Sequence, residues 1–202
     1  MKIVHAADLH LDSPLRGLPD YEGAPVADVR SATRRAFTAL VDLCLDERVQ
    51  LLVVAGDLYD GDFRDYSTAL FFADQVSRLR EIGAQVVWIR GNHDAQSRMT
   101  RHLRLSEGVH ELSADRAETR VFEDWGVAVH GQGYATRDVV ANLARAYPAA
   151  LPGLFNIGVL HTALDGRVGH APYAPCTTTE LRSHGYDYWA LGHVHQREVI
   201  ST

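Results

Sequence analysis

Apolar residues along the first half of the chain fall into two alternating textures. Short unbroken runs, Ile3 to Ala7, Leu51 to Ala55 and Ala84 to Ile89, suit β-strands, the second of them apolar on both faces as an interior parallel strand requires. Between them lie two stretches with helical spacing. From about Val29 to Glu47, Ala32, Ala36, Phe37, Leu40, Val41, Leu43 and Cys44 predict a helix with one buried face. From about Tyr66 to Glu81, Leu70, Phe71, Ala73, Val76 and Leu79 predict another, with Gly83 placed as its C-terminal cap. Strand, helix, strand, helix, strand with short connections predicts right-handed βαβ crossovers and a parallel sheet.

Beyond Asp94 the texture changes. Arg98, Arg101 and Arg104 recur every three residues in a short segment read as helical, with one basic face. From Val109 to Tyr134 the pattern becomes β, and Thr119–Phe122 and Gly126–Gly131 read as hairpin strands of a second sheet. Asp138 to Ala146 reads as helix, Phe155 to Leu160 as strand, Thr178 to Ser183 as a short helix and Tyr188 to Leu191 as strand, with a further β-prone segment from Gln196 to Ser201. There is no internal repeat, and Pro148 and Pro152 flank a connector without marking a boundary, so residues 1–202 are read as one domain.

Composition narrows the class. A chain of 202 residues buries a substantial core, and 46% hydrophobic with 23% charged residues is ordinary for a soluble globular protein. Cys44 and Cys176 are far apart and in no metal-ligand spacing, which suits free thiols in a reducing compartment. The N-terminus runs straight into Lys2-Ile3-Val4 without a signal peptide, and no apolar run is long enough for a membrane span, so a cytosolic protein is expected. The formal charge of −6 argues against a general nucleic-acid coat but leaves room for a local basic track. Lys2 is the only lysine; an arginine preference suits phosphate recognition, and coding bias explains it equally well.

The chemistry gathers where the apolar runs stop. The first ends in Asp8-Leu9-His10, the second in Gly56-Asp57 and the third in Gly91-Asn92-His93-Asp94; later runs end at His161 and at Gly192-His193-Val194-His195. In parallel sheets ligands gather at the carboxyl ends of strands, so these groups are expected on one rim. Gly91 would allow a tight turn, Asn92 offers a neutral oxygen ligand and His93 an imidazole, and Asp94 a carboxylate able to hold that imidazole in one tautomer. Asp12 reads as a loop residue, and Asp60, Asp62 and Asp65 as helix capping or solvated loop, with metal ligation the lesser alternative. His5, His102, His110, His130, His170 and His184 read as core or hydrogen-bonding histidines. The Arg98 to Arg104 face is by default a solvated helix face; beside the rim, it is also the best candidate for a phosphate-backbone track.

Taken in order, Asp8-x-His10, Gly56-Asp57, Gly91-Asn92-His93-Asp94, Gly158-x-x-His161 and Gly192-His193-x-His195 resemble the signature of the calcineurin-like metallophosphoesterases over nearly the whole chain. The start His5-Ala6-Ala7-Asp8-Leu9-His10-Leu11-Asp12-Ser13-Pro14 and the loop Gly56-Asp57-Leu58-Tyr59-Asp60 are similar to the SbcD-type DNA repair exonucleases, especially their YhaO-like branch. The resemblance implies a four-layer α/β/β/α sandwich with a metal pair on the upper rim. It implies that Asp8, His10 and His195 bind one ion, that Asn92, His161 and His193 bind the other, and that Asp57 bridges them. The mixed nitrogen and oxygen set suits manganese, iron or zinc better than calcium, and manganese is the usual activator in the family's nucleases. The family continues with more strands of the second sheet and a capping region that grips DNA and engages an SbcC-like ABC-type ATPase; the chain therefore reads as a catalytic core cut short at its C-terminal side, with an incompletely covered sheet that favours self-association, for instance as a homodimer.

Phosphodiester hydrolysis needs a nucleophile at neutral pH, neutralised phosphoryl oxygens and a stabilised leaving oxygen, and a metal pair supplies the first two. His93, not needed as a ligand, is then available to stabilise the transition state or protonate the leaving oxygen, with Asp94 expected to orient it. Three functions remain open: a DNA end-processing nuclease, as the branch-like motifs suggest; a phosphatase or phosphodiesterase acting on a small nucleotide or metabolite, which fits the acidic charge; and a non-catalytic scaffold on the same fold.

Overall fold

A computed structural model describes residues 1–13, 26–60, 66–96, 107–166 and 171–200. The first half builds a parallel four-stranded sheet in the order β1 (Ile3–Ala6), β2 (Leu51–Ala55), β3 (Gln85–Ile89) and β4 (Val109–Glu111), with helices α1 (Val26–Asp46) and α2 (Tyr66–Arg80) in the crossovers. The second half builds another, in the order β5 (Glu118–Phe122), β6 (Val127–Gly131), β7 (Phe155–His161) and β8 (Tyr188–Gly192), followed in space by the short helix α3 (Thr178–Ser183). Only β5 runs antiparallel to its neighbour; β6, β7 and β8 are parallel. The β-rich stretch from Val109 thus divides: β4 completes the first sheet, and the second sheet begins at β5.

Side-chain alternation sorts the residues of β2 and β3 between two cores. Leu52, Val54, Val86 and Trp88 point outward and pack with Phe37, Val41 and Cys44 of α1 and Phe72, Val76 and Leu79 of α2. Leu51, Val53, Ala55, Val87 and Ile89 point the other way, against Val127 and Val129 of β6, Ile157 and Val159 of β7 and Ala190 of β8. On the far side of the second sheet, Leu160 packs with Ala144, Tyr147, Cys176 and Leu181. Helices, sheet, sheet, helix: the four layers expected are present. Phe37, wholly buried and stacked on Phe72 at 5.5 Å, is one of the anchors, and truncating it to Ala costs about 3–5 kcal/mol.

Several local expectations are corrected. The buried stripe of α2 is Ala69, Phe72, Val76 and Leu79, while Leu70 is exposed; on α1, Ala32, Ala36 and Leu43 also face out. Period alone left the phase of each helix undecided by one position. Asp138–Ala146 is mostly irregular, with a single 3-10 turn at Leu143–Ala146. Residues 196–200 form no strand, and Val199 and Ile200 are exposed. The helix α3 starts with a capping box between Thr177 and Glu180. Arg98, Arg101 and Arg104 lie outside the described residues, as do Asp62, Asp65, His102 and His170.

Candidate metal centre

The sheets meet at the carboxyl ends of their strands, and the polar motifs converge there. The loops after β1 and β2 run side by side: Asp8 N donates to Gly56 O, His10 N to Asp57 O and Leu11 N to Leu58 O at 2.9–3.0 Å. Within this ribbon Asp8, His10 and Asp57 all adopt left-handed backbone with φ between 43 and 54°. Such conformations are uncommon for residues with side chains, and they persist here because neighbouring hydrogen bonds fix them. Close approach completes the assembly. Gly91, whose φ is ordinary, makes room for Asp57: a Cβ there would lie 2.2 Å from Asp57 Oδ1. At Gly192 a Cβ would lie 2.0 Å from the carbonyl oxygen of Ala55, so the ends of β8 and β2 touch only because that side chain is missing. The turn-forming role expected of Gly91 is therefore replaced by one of space.

Three groups of donor atoms result, one of them His10, Asp60 and His93. Asp8, His10 and His195 place ligand atoms within 4.8 Å of one another, with His10 Nε2 and His195 Nε2 3.2 Å apart. Asp8, Asp57 and His161 form a second set, in which His161 Nε2 is 3.3 Å from Asp57 Oδ2 and 3.1 Å from Asn92 Oδ1. Asp57 faces both, since its Oδ2 is also 3.8 Å from His10 Nε2. His193 stands at the border. Its backbone N–H donates to both oxygens of Asp8 at 3.0 Å, its ring centroid is 5.2 Å from that of His161, and its Nε2 meets the carbonyl of Ala171 at 2.9 Å. That carbonyl contact fixes the orientation of the ring at the edge of the two clusters.

The donor chemistry fits divalent ions. His161 Nδ1 donates to Ala55 O at 2.9 Å, so Nε2, facing the oxygens of Asp57 and Asn92, is the nitrogen whose position a proton or a cation would occupy. Burial opposes a charge on His161, yet hydrogen bonding to Asp57 and the fields of Asp57 and Asp8 outweigh it and raise its proton affinity. The same contacts hold Asp57 ionised against its own burial. The site thus draws positive charge to a spot walled by nitrogen and oxygen donors, as a borderline divalent cation requires.

His93 is placed beside these clusters and held differently from expectation. Its backbone N–H donates to Asp57 Oδ1 at 2.9 Å, and its Nδ1 lies 2.5 Å from Asp60 Oδ1. Asp60 is itself held by Ser13 Oγ. Asp94 does not touch the imidazole: fully buried, it accepts from the backbone N–H groups of Gly91, Leu58 and Tyr59 and so ties the loop after β3 to the loop after β2. Burial and the nearby charge of Asp57 raise the Asp94 carboxyl, against those three donors. The expected orienting role of Asp94 therefore passes to Asp60, read from sequence as capping or loop; the Gly-Asp-x-x-Asp spacing was the only available signal. The Asp60 hydrogen bond raises the proton affinity of His93, with burial opposing, and the same contact lowers the Asp60 carboxyl to about 2. His10 also nears this pair, its ring edge-on to His93 at 4.8 Å.

Residues set aside from the site are accounted for. Asp12 accepts two bonds from Arg34 Nε and Nη2 and one from Thr68, pinning the first motif's loop to both helices. His5 contacts Leu191 O and the Tyr188 hydroxyl, His110 contacts Gln85, and buried His130 bridges Thr119 and Asn156. No helix among the described residues is long and apolar enough to cross a membrane.

Residues 1–197 match the family model of the calcineurin-like phosphoesterases. The chain is similar to the uncharacterized metallophosphoesterase YhaO of Bacillus subtilis, with 37% identity over 204 residues covering all of this chain and 50% of that protein. It is also similar to proteins named DNA double-strand break repair protein Mre11, from Methanopyrus kandleri (28%, 96% of this chain, 44% of that protein) and Saccharolobus solfataricus (26%, 98% and 50%). The chain thus spans about half the length of these curated relatives. The family match and the two donor clusters agree: the chain belongs to the calcineurin-like phosphoesterases, metal-dependent hydrolases of phosphoesters.

Proposed function

We propose that this domain hydrolyses DNA phosphodiesters at ends or in single strands, with two divalent ions, preferably manganese, held by Asp8, His10 and His195 on one side and Asn92, His161 and His193 on the other, bridged by Asp57. The observation that carries the hydrolytic part is the pair of donor clusters meeting at Asp57 with the His93–Asp60 pair alongside. When bound, the ions lower the pKa of a water and neutralise the phosphoryl oxygens. The chain's own residues do the rest. Asp57 keeps its two neighbouring clusters in register, and its Oδ1 fixes the backbone of His93. Asp60 engages Nδ1 of His93, so the proton available to a leaving oxygen sits on Nε2, and the same contact raises the proton affinity of the ring.

DNA as substrate is supported by the names of the Mre11 relatives and by the loop motifs shared with SbcD-type nucleases. For the whole protein we extend the proposal to an SbcC-like ABC-type ATPase partner and a homodimer. The formal charge of −6 favours a second reading, a phosphodiesterase or phosphatase of small nucleotides. Turnover of a short single-stranded oligodeoxynucleotide and of a nucleoside monophosphate, each with manganese, magnesium, zinc and chelator, tests both. Faster cleavage of the oligonucleotide with manganese is expected. Hydrolysis of the monophosphate alone would replace the DNA reading with the second, and undiminished activity in chelator would overturn the metal assignment.

A further inference from the structure

His10 belongs to more than one group of donors. Besides the outer cluster with Asp8 and His195, it stands with Asp60 and His93 in a set whose ligand atoms all lie within 4.8 Å of one another. Its ring meets that of His93 edge-on at 4.8 Å and that of His195 at 5.0 Å, so His10 is the side chain the two sets share. The second set has supports of its own. His10 N donates to Asp57 O at 3.0 Å, His93 N to Asp57 Oδ1 at 2.9 Å, and Asp60 Oδ2 accepts from Ser13 Oγ at 2.5 Å. None of these bonds uses a ring nitrogen or Asp60 Oδ1, the atoms a cation would take. The side chains of His10, Asp60 and His93 are 15%, 22% and 33% exposed, which leaves the set open to an ion from solvent.

Coordination chemistry separates the two sets. Two imidazoles and one carboxylate, with one water, complete the tetrahedron that zinc prefers. Asp8, His10 and His195 have Asp57 beside them as well, its Oδ2 3.8 Å from His10 Nε2, and so offer four donors to the octahedral shell that manganese prefers. Both sets need His10, and two dications drawn to one ring repel, so one seat fills at the expense of the other.

Building on the two-ion reading, we propose that His10, Asp60 and His93 form a separate, inhibitory zinc seat that competes with the outer ion for His10 and silences His93. Zinc enters in place of the 2.5 Å hydrogen bond between Asp60 Oδ1 and His93 Nδ1, and the proton held there leaves to solvent. A neutral, metal-bound imidazole is a far weaker acid than an imidazolium, so the leaving oxygen loses its proton donor while the outer cluster loses a ligand. Manganese, with its weaker hold on imidazole, stays in the outer cluster and supports turnover.

The test titrates zinc chloride, at fixed manganese, into wild type, Asp60→Ala and His195→Ala. Two quantities are read: hydrolysis of bis(4-nitrophenyl) phosphate relative to each protein's own zinc-free rate, and zinc bound per chain by equilibrium dialysis and elemental analysis. Zinc should inhibit wild type. The zinc concentration for half-inhibition and that for half-uptake at this seat should both rise about 100-fold in Asp60→Ala, at the upper end of what removing even a supporting group of a metal site costs. In His195→Ala both should stay the same or fall, because the competing outer ion is weakened. Zinc that merely replaces the outer manganese gives the reverse pattern. That reversal, equal shifts in both variants, or a wild type that zinc activates as well as manganese overturns the proposal. Wild-type activity that survives chelator before zinc is added overturns the two-ion reading itself, and the seat's inhibitory role with it.

Discussion

The two donor clusters differ in how firmly the fold holds them. Asp57, Asn92 and His161 are 2%, 4% and 0% exposed, and two of them are fixed from behind, His161 by the Ala55 carbonyl and Asp57 by the His93 backbone. Asp8, His10 and His195 form the looser side: the His195 side chain is 61% exposed and follows the last strand on an irregular loop. The inner cluster is built on strand ends that both sheets bury; the outer one depends on loops. A preorganised site spends less of its binding energy on ordering its ligands, so the inner ion should bind more tightly and exchange more slowly.

The largest expected effect comes from removing what the clusters share. Asp57→Ala should bring hydrolysis to background and lose both ions by elemental analysis, because it leaves the buried His161 facing an emptied wall; a variant still holding both ions would show that the clusters are independent. His93→Ala should cut turnover by about 10²–10⁴-fold, the range for a positioned acid–base group, with metal content near normal. Loss of metal from that variant would make His93 a ligand.

Asp60 and Asp94 sharpen the contrast between chemistry and scaffold. Asp60→Asn should lower turnover by about 10–100-fold with little change in stability, as removal of a residue that orients a reacting group does. Asp94→Ala strands three buried N–H groups and should destabilise the domain by about 3 kcal/mol or more, read as a shifted denaturation midpoint. If the two variants exchanged these phenotypes, the assignment of His93's partner to Asp60 would be wrong. The smallest effect is predicted for His195→Ala: one ion weakened, activity recovered by raising manganese, the other site intact in a metal titration. Loss of both ions in that variant would erase the proposed inequality of the clusters.

Much of this architecture was legible in the residues themselves. Each candidate ligand follows an apolar run, so placing the strands placed Asp8, Asp57, Asn92, His161 and His193 on a common rim, and parallel crossovers put those rims at one end. The helices too announced themselves by period. Their phase did not, because Leu70 and Leu43 fit an apolar stripe as well as Phe72 and Phe37, and only packing against Leu52, Val54 and Trp88 selects between them. The site was hidden in the same way at two points. Adjacency suggested that Asp94 serves His93, but the chain turns so that the Asp94 carboxylate points back into the loops while Asp60, 33 residues earlier, arrives at the ring. Gly91 looked like a turn residue until the approach of Asp57 showed that space was the requirement. Sequence determines which groups are available and which strand ends carry them; which pairs meet depends on how two sheets close on each other, a distance no spacing along the chain encodes.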